Sequence, residues 1–236
     1  MASQTINPTA TYIKPNKKSI NVLVYAAAYV SVIIIFHKLY RFSSGYNERI
    51  SAWIQLFSYC VFGVTGIILF KDLLKRGIRE WKEHPMKNVL WIAGGYIAGK
   101  LLDIILYIPG MILFPDHYSI NQNNVETLLQ YMPAAFALIV IGVFGPCTEE
   151  TIFRWTLVEK GRLKQPVVLC VIVSSLLFMF LHVHEASLPE IVSCLPIFGS
   201  ALVYSISMLK TKNPTIPVIL HMLNNSIGVI MILQQS

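Results

Sequence analysis

The stretch Gly145-Pro146-Cys147-Thr148-Glu149-Glu150-Thr151-Ile152-Phe153-Arg154 sets two adjacent carboxylic acids and an arginine inside a run of otherwise membrane-grade sequence. Ionisable residues at membrane depth are costly, so they face a protein-lined cavity and mark a functional site. On a helix turning about 100° per residue, Glu150 and Arg154 stand four apart and share one face, a spacing that suits an ion pair. Glu149 points about 100° away from Glu150, on the side of Phe153. One acid is thereby held by arginine while its neighbour is left free to act.

The surrounding chain has 236 residues, 55% hydrophobic and only 13% charged, with a mean hydropathy of +0.59. That profile belongs to the membrane class, and we expect an all-α, polytopic helical bundle of about seven to eight transmembrane helices in a cell membrane. Cys60, Cys147, Cys170 and Cys194 lie in or beside apolar segments at spacings that match no zinc or redox pattern, and read as small packing residues. The net charge of +7 is placed at the ends of apolar segments. It reads as topology signal and lipid contact, with no nucleic-acid partner.

Residues 1–18 are expected to be a short cytoplasmic tail, followed by a retained first helix at 19–37 and a second apolar run at 51–70. Lys71, Lys75, Arg76, Arg79, Lys82 and Lys87 crowd into residues 71–88, the strongest cytoplasmic signal in the chain and the pattern of a lipid-surface helix. A third span, 89–113, holds Lys100 and Asp103 three apart, read as a structural ion pair, with Pro109 bending its outer end. The Asn-rich segment Asp116 to Glu126, without Lys or Arg, suits an exterior loop. A fourth span at 127–144 is expected to end at Gly145-Pro146, with Thr148 capping a separate glutamate helix that runs to Arg162. Further spans follow at 167–183, 189–209 and 215–233. This divides the chain into the tail 1–18, an N-terminal transmembrane region 19–126 and a helical core 127–233.

Two topologies compete. A glutamate helix that does not cross gives seven spans and puts nearly all basic loops on one side. One that crosses gives eight, and places Lys160, Arg162 and Lys164 outside, against the charge rule. Helix arithmetic favours eight. Counted from a turn near residue 163, Glu149 and His182 differ in height by only ~7 Å at ~1.5 Å per residue.

Three spaced pairs carry the chemistry: Glu149 with Arg154, Phe178 with His182, and His221 with Asn225. The last two are four apart and each shares a helical face. Brought together in an apolar chamber, they hold what a hydrolase needs. Glu149 would take a proton from water and His182 would orient or share it. His221 and Asn225 would hold the tetrahedral oxyanion. Phe178 has no acid–base role and reads as packing.

The ordered set Glu149-Glu150-x-x-x-Arg154, Phe178-x-x-x-His182 and His221-x-x-x-Asn225 resembles the CPBP family, the CAAX proteases and bacteriocin-processing enzymes also called Abi proteins. The resemblance covers 127–233. It implies an all-helical intramembrane endopeptidase with a chamber opening toward the cytoplasm, in which Glu149 activates water and Glu150, Arg154, His182, His221 and Asn225 complete the site. It also implies a peptide or protein substrate, and a role in bacteriocin self-immunity or peptide maturation rather than in processing prenylated proteins. We expect no cofactor. Zinc held by His182, His221 and Glu149 is the alternative, but Asn225 is a poor metal ligand better suited to an oxyanion. His184 reads as a structural or exposed residue at a loop end. No His-Glu-x-x-His, Gly-x-Gly-Asp or rhomboid-like Gly-x-Ser segment points to another intramembrane protease class. The rival readings are a non-catalytic membrane immunity or binding protein that uses the same cavity, and a proton-coupled transporter.

Overall fold

The computed structural model describes residues 17–32, 47–160 and 165–235. The expected tail therefore falls almost wholly outside the described residues, as do the end of the first span, Arg162 and Lys164. Among the described residues all regular structure is helical: α1 (Lys17–Val30), α2 (Glu48–Leu69), α3 (Lys71–Glu83), α4 (Pro85–Leu113), α5 (Ile120–Gln130), α6 (Ala134–Glu159), α7 (Val167–Leu181), α8 (Leu188–Ser193), α9 (Leu195–Thr211) and α10 (Thr215–Gln235). Among the described residues five apolar stretches are long enough to cross a membrane: α2, α4, α6, α8 with α9, and α10. The seven to eight spans expected are not confirmed by this count, since the first lies partly outside the described residues and the apolar α7 has only 15 residues.

The expected break at Gly145-Pro146 is absent. Residues 134–160 form one continuous helix that alternates between α and wider π turns, with π segments at Val140–Phe144 and Thr151–Lys160. The wider register is how the helix passes its proline. The Gly145 N–H reaches back five residues to the Val140 carbonyl. The next carbonyl, Ile141, would take its π-type bond from residue 146, which as a proline has no N–H. The Asn225 side chain supplies the missing donor, Nδ2 to Ile141 O at 3.2 Å. Thr148 is consequently no N-cap. It is buried inside the helix, with its Oγ1 3.2 Å from the Tyr25 hydroxyl.

The fourth span begins at Ala134, residues 127–130 belonging to α5, and because it and the glutamate helix are one element, both ends of the bundle can be followed through named contacts. At one end lies the basic helix α3. Its Arg76 forms a bidentate pair with Glu159 at the end of α6, at 2.6 and 2.7 Å, and its Trp81 Nε1 donates to Thr215 at the start of α10. At the other end, α5 is not the loop expected for Asp116 to Glu126. Its Leu128 and Leu129 pack with Ala52 and Leu56 of early α2, and with Val229 of late α10. The connection before α5 is fastened to α8, where the buried Glu190 accepts the Ile120 N–H at 3.0 Å and lies 3.2 Å from His117 Nε2. The helix α4 runs through Pro109 to Leu113 and presents Leu101, Ile104, Ile105 and Ile112 outward, as a lipid-facing surface requires.

The crossing of α4 and α9 depends on a glycine. A Cβ at Gly199 would lie 2.8 Å from Leu106 Cδ1 and 3.2 Å from Leu102 Cβ. Gly199→Val should therefore force the two helices apart and cost about 1–3 kcal/mol. A lowered melting temperature in detergent would register it; an unchanged one would mean that the contact is slack.

Candidate active site

Arg154 is the largest fully buried side chain among the described residues. Its Nη1 lies 3.1 Å from Glu150 Oε1, and its Nη2 donates to the Ala201 carbonyl at 3.4 Å. The guanidinium carbon sits 4.2 Å from the Phe178 ring centre, with Tyr204 and Phe153 at 5.3 and 5.9 Å. A buried cation needs such a shell of carboxylate and ring faces. The expected pairing of Glu150 with Arg154 is therefore present, and its π-electron lining adds Phe178 as a working part. The same ring packs on His182 at 4.9 Å and edge-on to His221 at 5.4 Å.

Glu150 also joins His221. Nδ1 of the imidazole is 2.9 Å from Glu150 Oε1, and Nε2 lies 3.8 Å from Glu149 Oε2. The ring stands between the two acids, bonded to one and turned toward the other, and is stacked on Tyr204 at 5.3 Å. For His182, the Nδ1 partner is the Phe178 carbonyl at 2.9 Å. A carbonyl can only accept, so Nδ1 carries the proton, and in the neutral ring Nε2 is the lone-pair atom.

Glu149 is not left free. Its Oε1 accepts a hydrogen bond of 2.6 Å from the hydroxyl of Tyr29, a fully buried residue of α1. Tyr25, one turn earlier, reaches the Phe62 carbonyl at 2.7 Å. It passes over Gly66, where a Cβ would come within 2.5 Å of its hydroxyl oxygen. These contacts press α1 against α2 and α6 at the level of the two acids.

Glu149, His182, His221 and Asn225 all line one chamber of about 310 Å³. Glu150 and Arg154 stand behind it, against a separate cavity of about 40 Å³, room for about three waters at most. The six residues singled out in the sequence are thus gathered into one continuous arrangement, with four at the chamber wall. Several others were missed. Tyr59 and Gln55 of α2, Asn224 of α10, and Asn121, Gln122 and Asn124 of α5 also line the chamber, as does His184. The Asn224 Oδ1 is buried without a protein partner. Asp103 reaches the wall too, held by Lys100 Nζ and Ser200 Oγ, both at 2.8 Å. Its ion pair with Lys100 was legible in the sequence; its place in the chamber was not.

The alternative zinc set does not converge in this arrangement. Among the described residues, the group of three whose ligand atoms all lie within 4.8 Å of one another is Glu80, Glu83 and His84, near the surface at the end of α3. Nδ1 of both chamber histidines is already engaged, leaving Nε2 as the atom each could offer.

Residues 131–227 match the model for type II CAAX prenyl endopeptidase Rce1-like proteins. With five described stretches apolar and long enough to span, the chain is a multi-pass membrane protein. It is 22% identical to the membrane-embedded CAAX protease MroQ of Staphylococcus aureus (strain USA300) over 222 residues, spanning 89% of this chain and 87% of that one. It is 33% identical to the uncharacterized protein YyaK of Bacillus subtilis (strain 168) over 127 residues, or 52% of this chain and 41% of that protein. No solved structure matches.

Two substitutions test how the acids are held. Arg154→Leu leaves Glu150 as an uncompensated buried charge and should cost about 3–5 kcal/mol. Tyr29→Phe strips a buried carboxylate oxygen of its donor and should cost about 1–3 kcal/mol. Thermal unfolding in detergent reads both, with Arg154→Leu the larger loss.

Proposed function

We propose that the protein is an intramembrane endopeptidase that hydrolyses a peptide bond with water activated by Glu149. The observation that carries this reading is the placement of Glu149, His182, His221 and Asn225 around one chamber, with Glu150 and Arg154 turned away to hold the arrangement from behind. In the proposed reaction, Glu149 takes a proton from a water molecule as its oxygen attacks the scissile carbonyl. Nε2 of His182 orients that water or shares its proton. The tetrahedral oxyanion then lies against His221 and the amides at 224 and 225. Asn225 keeps one N–H for this task, because an amide nitrogen has two and only one is engaged with Ile141. The proton held by Glu149 passes to the leaving amine, and the carboxylate is restored.

The proposed substrate is a peptide, or the membrane-proximal segment of a protein, and the proposed setting is bacteriocin self-immunity or peptide maturation. No cofactor is required in this scheme. His182 acts through its Nε2 lone pair, and Tyr29 fixes the rotamer of the base.

The test is cleavage of a quenched-peptide panel by purified protein in liposomes. Glu149→Ala and His182→Ala should each lose about 10²–10⁴-fold in rate, while a chelator should leave the wild type unchanged. Loss on chelation with recovery on zinc would replace the glutamate-activated water by a metal-bound one. No cleavage by wild type, together with a Glu149→Ala strain that keeps its phenotype, would leave a non-catalytic membrane binding protein.

A further inference from the structure

The chamber has a direction, and the charge of the chain fixes which side of the membrane that direction meets. From Glu149, the chamber wall continues along α10 through Asn225, Gly228 and Ile232, and along α6 to Ile141. Both paths lead away from α3. The rim is built by Asn121, Gln122 and Asn124 of α5, whose Leu128 and Leu129 are packed at the opposite end of the bundle. Toward α3 the acids are closed off. Phe70, Leu73, Trp155 and Met208 wall a cavity of only about 40 Å³, too small for a peptide.

The α3 end is the basic end. Lys71, Lys75, Arg79 and Lys82 are exposed on α3, and Lys87 on the first turn of α4. Lys210 and Lys212 are exposed at the turn between α9 and α10, which α3 covers through Trp81 and Thr215. Lys17 and Lys18 open α1, whose Tyr25 already lies against Phe70. At the rim end, segments 114–133 and 182–194 contain no lysine or arginine. Arg49 is the basic residue there among the described residues; Lys38 and Arg41 lie outside them. This asymmetry is the positive-inside pattern, with α3 on the cytoplasmic face.

We infer that the chamber opens to the outer face of the membrane, so that its substrate is a peptide segment presented from outside: an exported peptide or the outward tail of a membrane protein. This reverses the cytoplasmic opening that the family resemblance implies. The orientation stands on charge and contacts alone, while the identity of what enters rests on the protease reading. The rim chemistry fits such a segment. Three neutral amides offer donors and acceptors to an extended backbone, and among the described residues no lysine or arginine lines the chamber.

The test separates the two claims. Single substitutions Asn123→Cys, on the exposed face of α5, and Lys82→Cys, on the exposed face of α3, are made in the full chain. Intact cells are treated with a membrane-impermeant maleimide, with the wild-type chain and its four cysteines as background. Labelling of Asn123→Cys in intact cells, with Lys82→Cys labelled only after permeabilisation, is the expected result. The reverse pattern overturns the inference. A quenched peptide added to intact cells should then be cleaved by wild type and not by Glu149→Ala. Cleavage only after permeabilisation overturns outward loading. Absence of cleavage under both conditions, with Asn123→Cys labelled from outside, keeps the orientation and removes the protease reading.

Discussion

The arrangement depends on a guanidinium buried without access to solvent. Placing Arg154 among apolar helices is tolerable only because Glu150 neutralises it and three aromatic rings present their faces to it. Each partner is then fixed in turn. Glu150 holds His221 by Nδ1, Phe178 supports both the arginine and the two histidines, and Tyr204 stacks on His221 from the other side. The constraint therefore spreads from one charge to α6, α7, α9 and α10. It also explains a division of labour between neighbouring acids: Glu150 is committed to the scaffold, so Glu149 is the one that meets the chamber.

A second constraint follows from Pro146 one turn before those acids. The proline removes a backbone donor, and the helix answers with a wider register instead of a break. π turns place side chains on faces that a uniform α-helix would not, and they concentrate at functional sites. Here the Ile141 carbonyl is met from outside the helix by Asn225, and the Phe153 carbonyl in the second π segment also accepts from Ser174. Asn225 consequently has two duties, bracing the glutamate helix and facing the chamber.

Much of this was legible in the sequence because residues three or four apart share a face in any right-handed helix. Glu150 with Arg154, and Phe178 with His182, could be paired from numbering alone, as could Lys100 with Asp103. The helix boundary at Gly145-Pro146 was not legible, since Gly-Pro ordinarily ends a helix and the rescue comes from Asn225, 84 residues away. The same misreading produced the conflict between seven and eight spans. Both counts assumed that 127–144 and the glutamate helix were separate, and a single helix ending at Glu159 beside Arg76 satisfies charge and packing together. The amides of α5 were invisible for another reason: an Asn-rich stretch with no basic residue looks like a loop, and only its contacts with α2 and α10 make it a wall.

The N-terminal region is the part that pattern reading could least reach, and it bears on the site most directly. The segment matched by the family model begins at residue 131, whereas the hydroxyl bonded to Glu149 belongs to Tyr29. A buried carboxylate with an apolar neighbour in that position would be free to rotate toward any other donor. One held at 2.6 Å by a tyrosine from another helix has its second oxygen aimed at His221 and the chamber. Tyr29 can do this only because Tyr25 anchors the turn before it over Gly66. The orientation of the Glu149 carboxylate is therefore a tertiary property of α1, α2 and α6. The matched segment supplies the acid, and the first helix decides where it points.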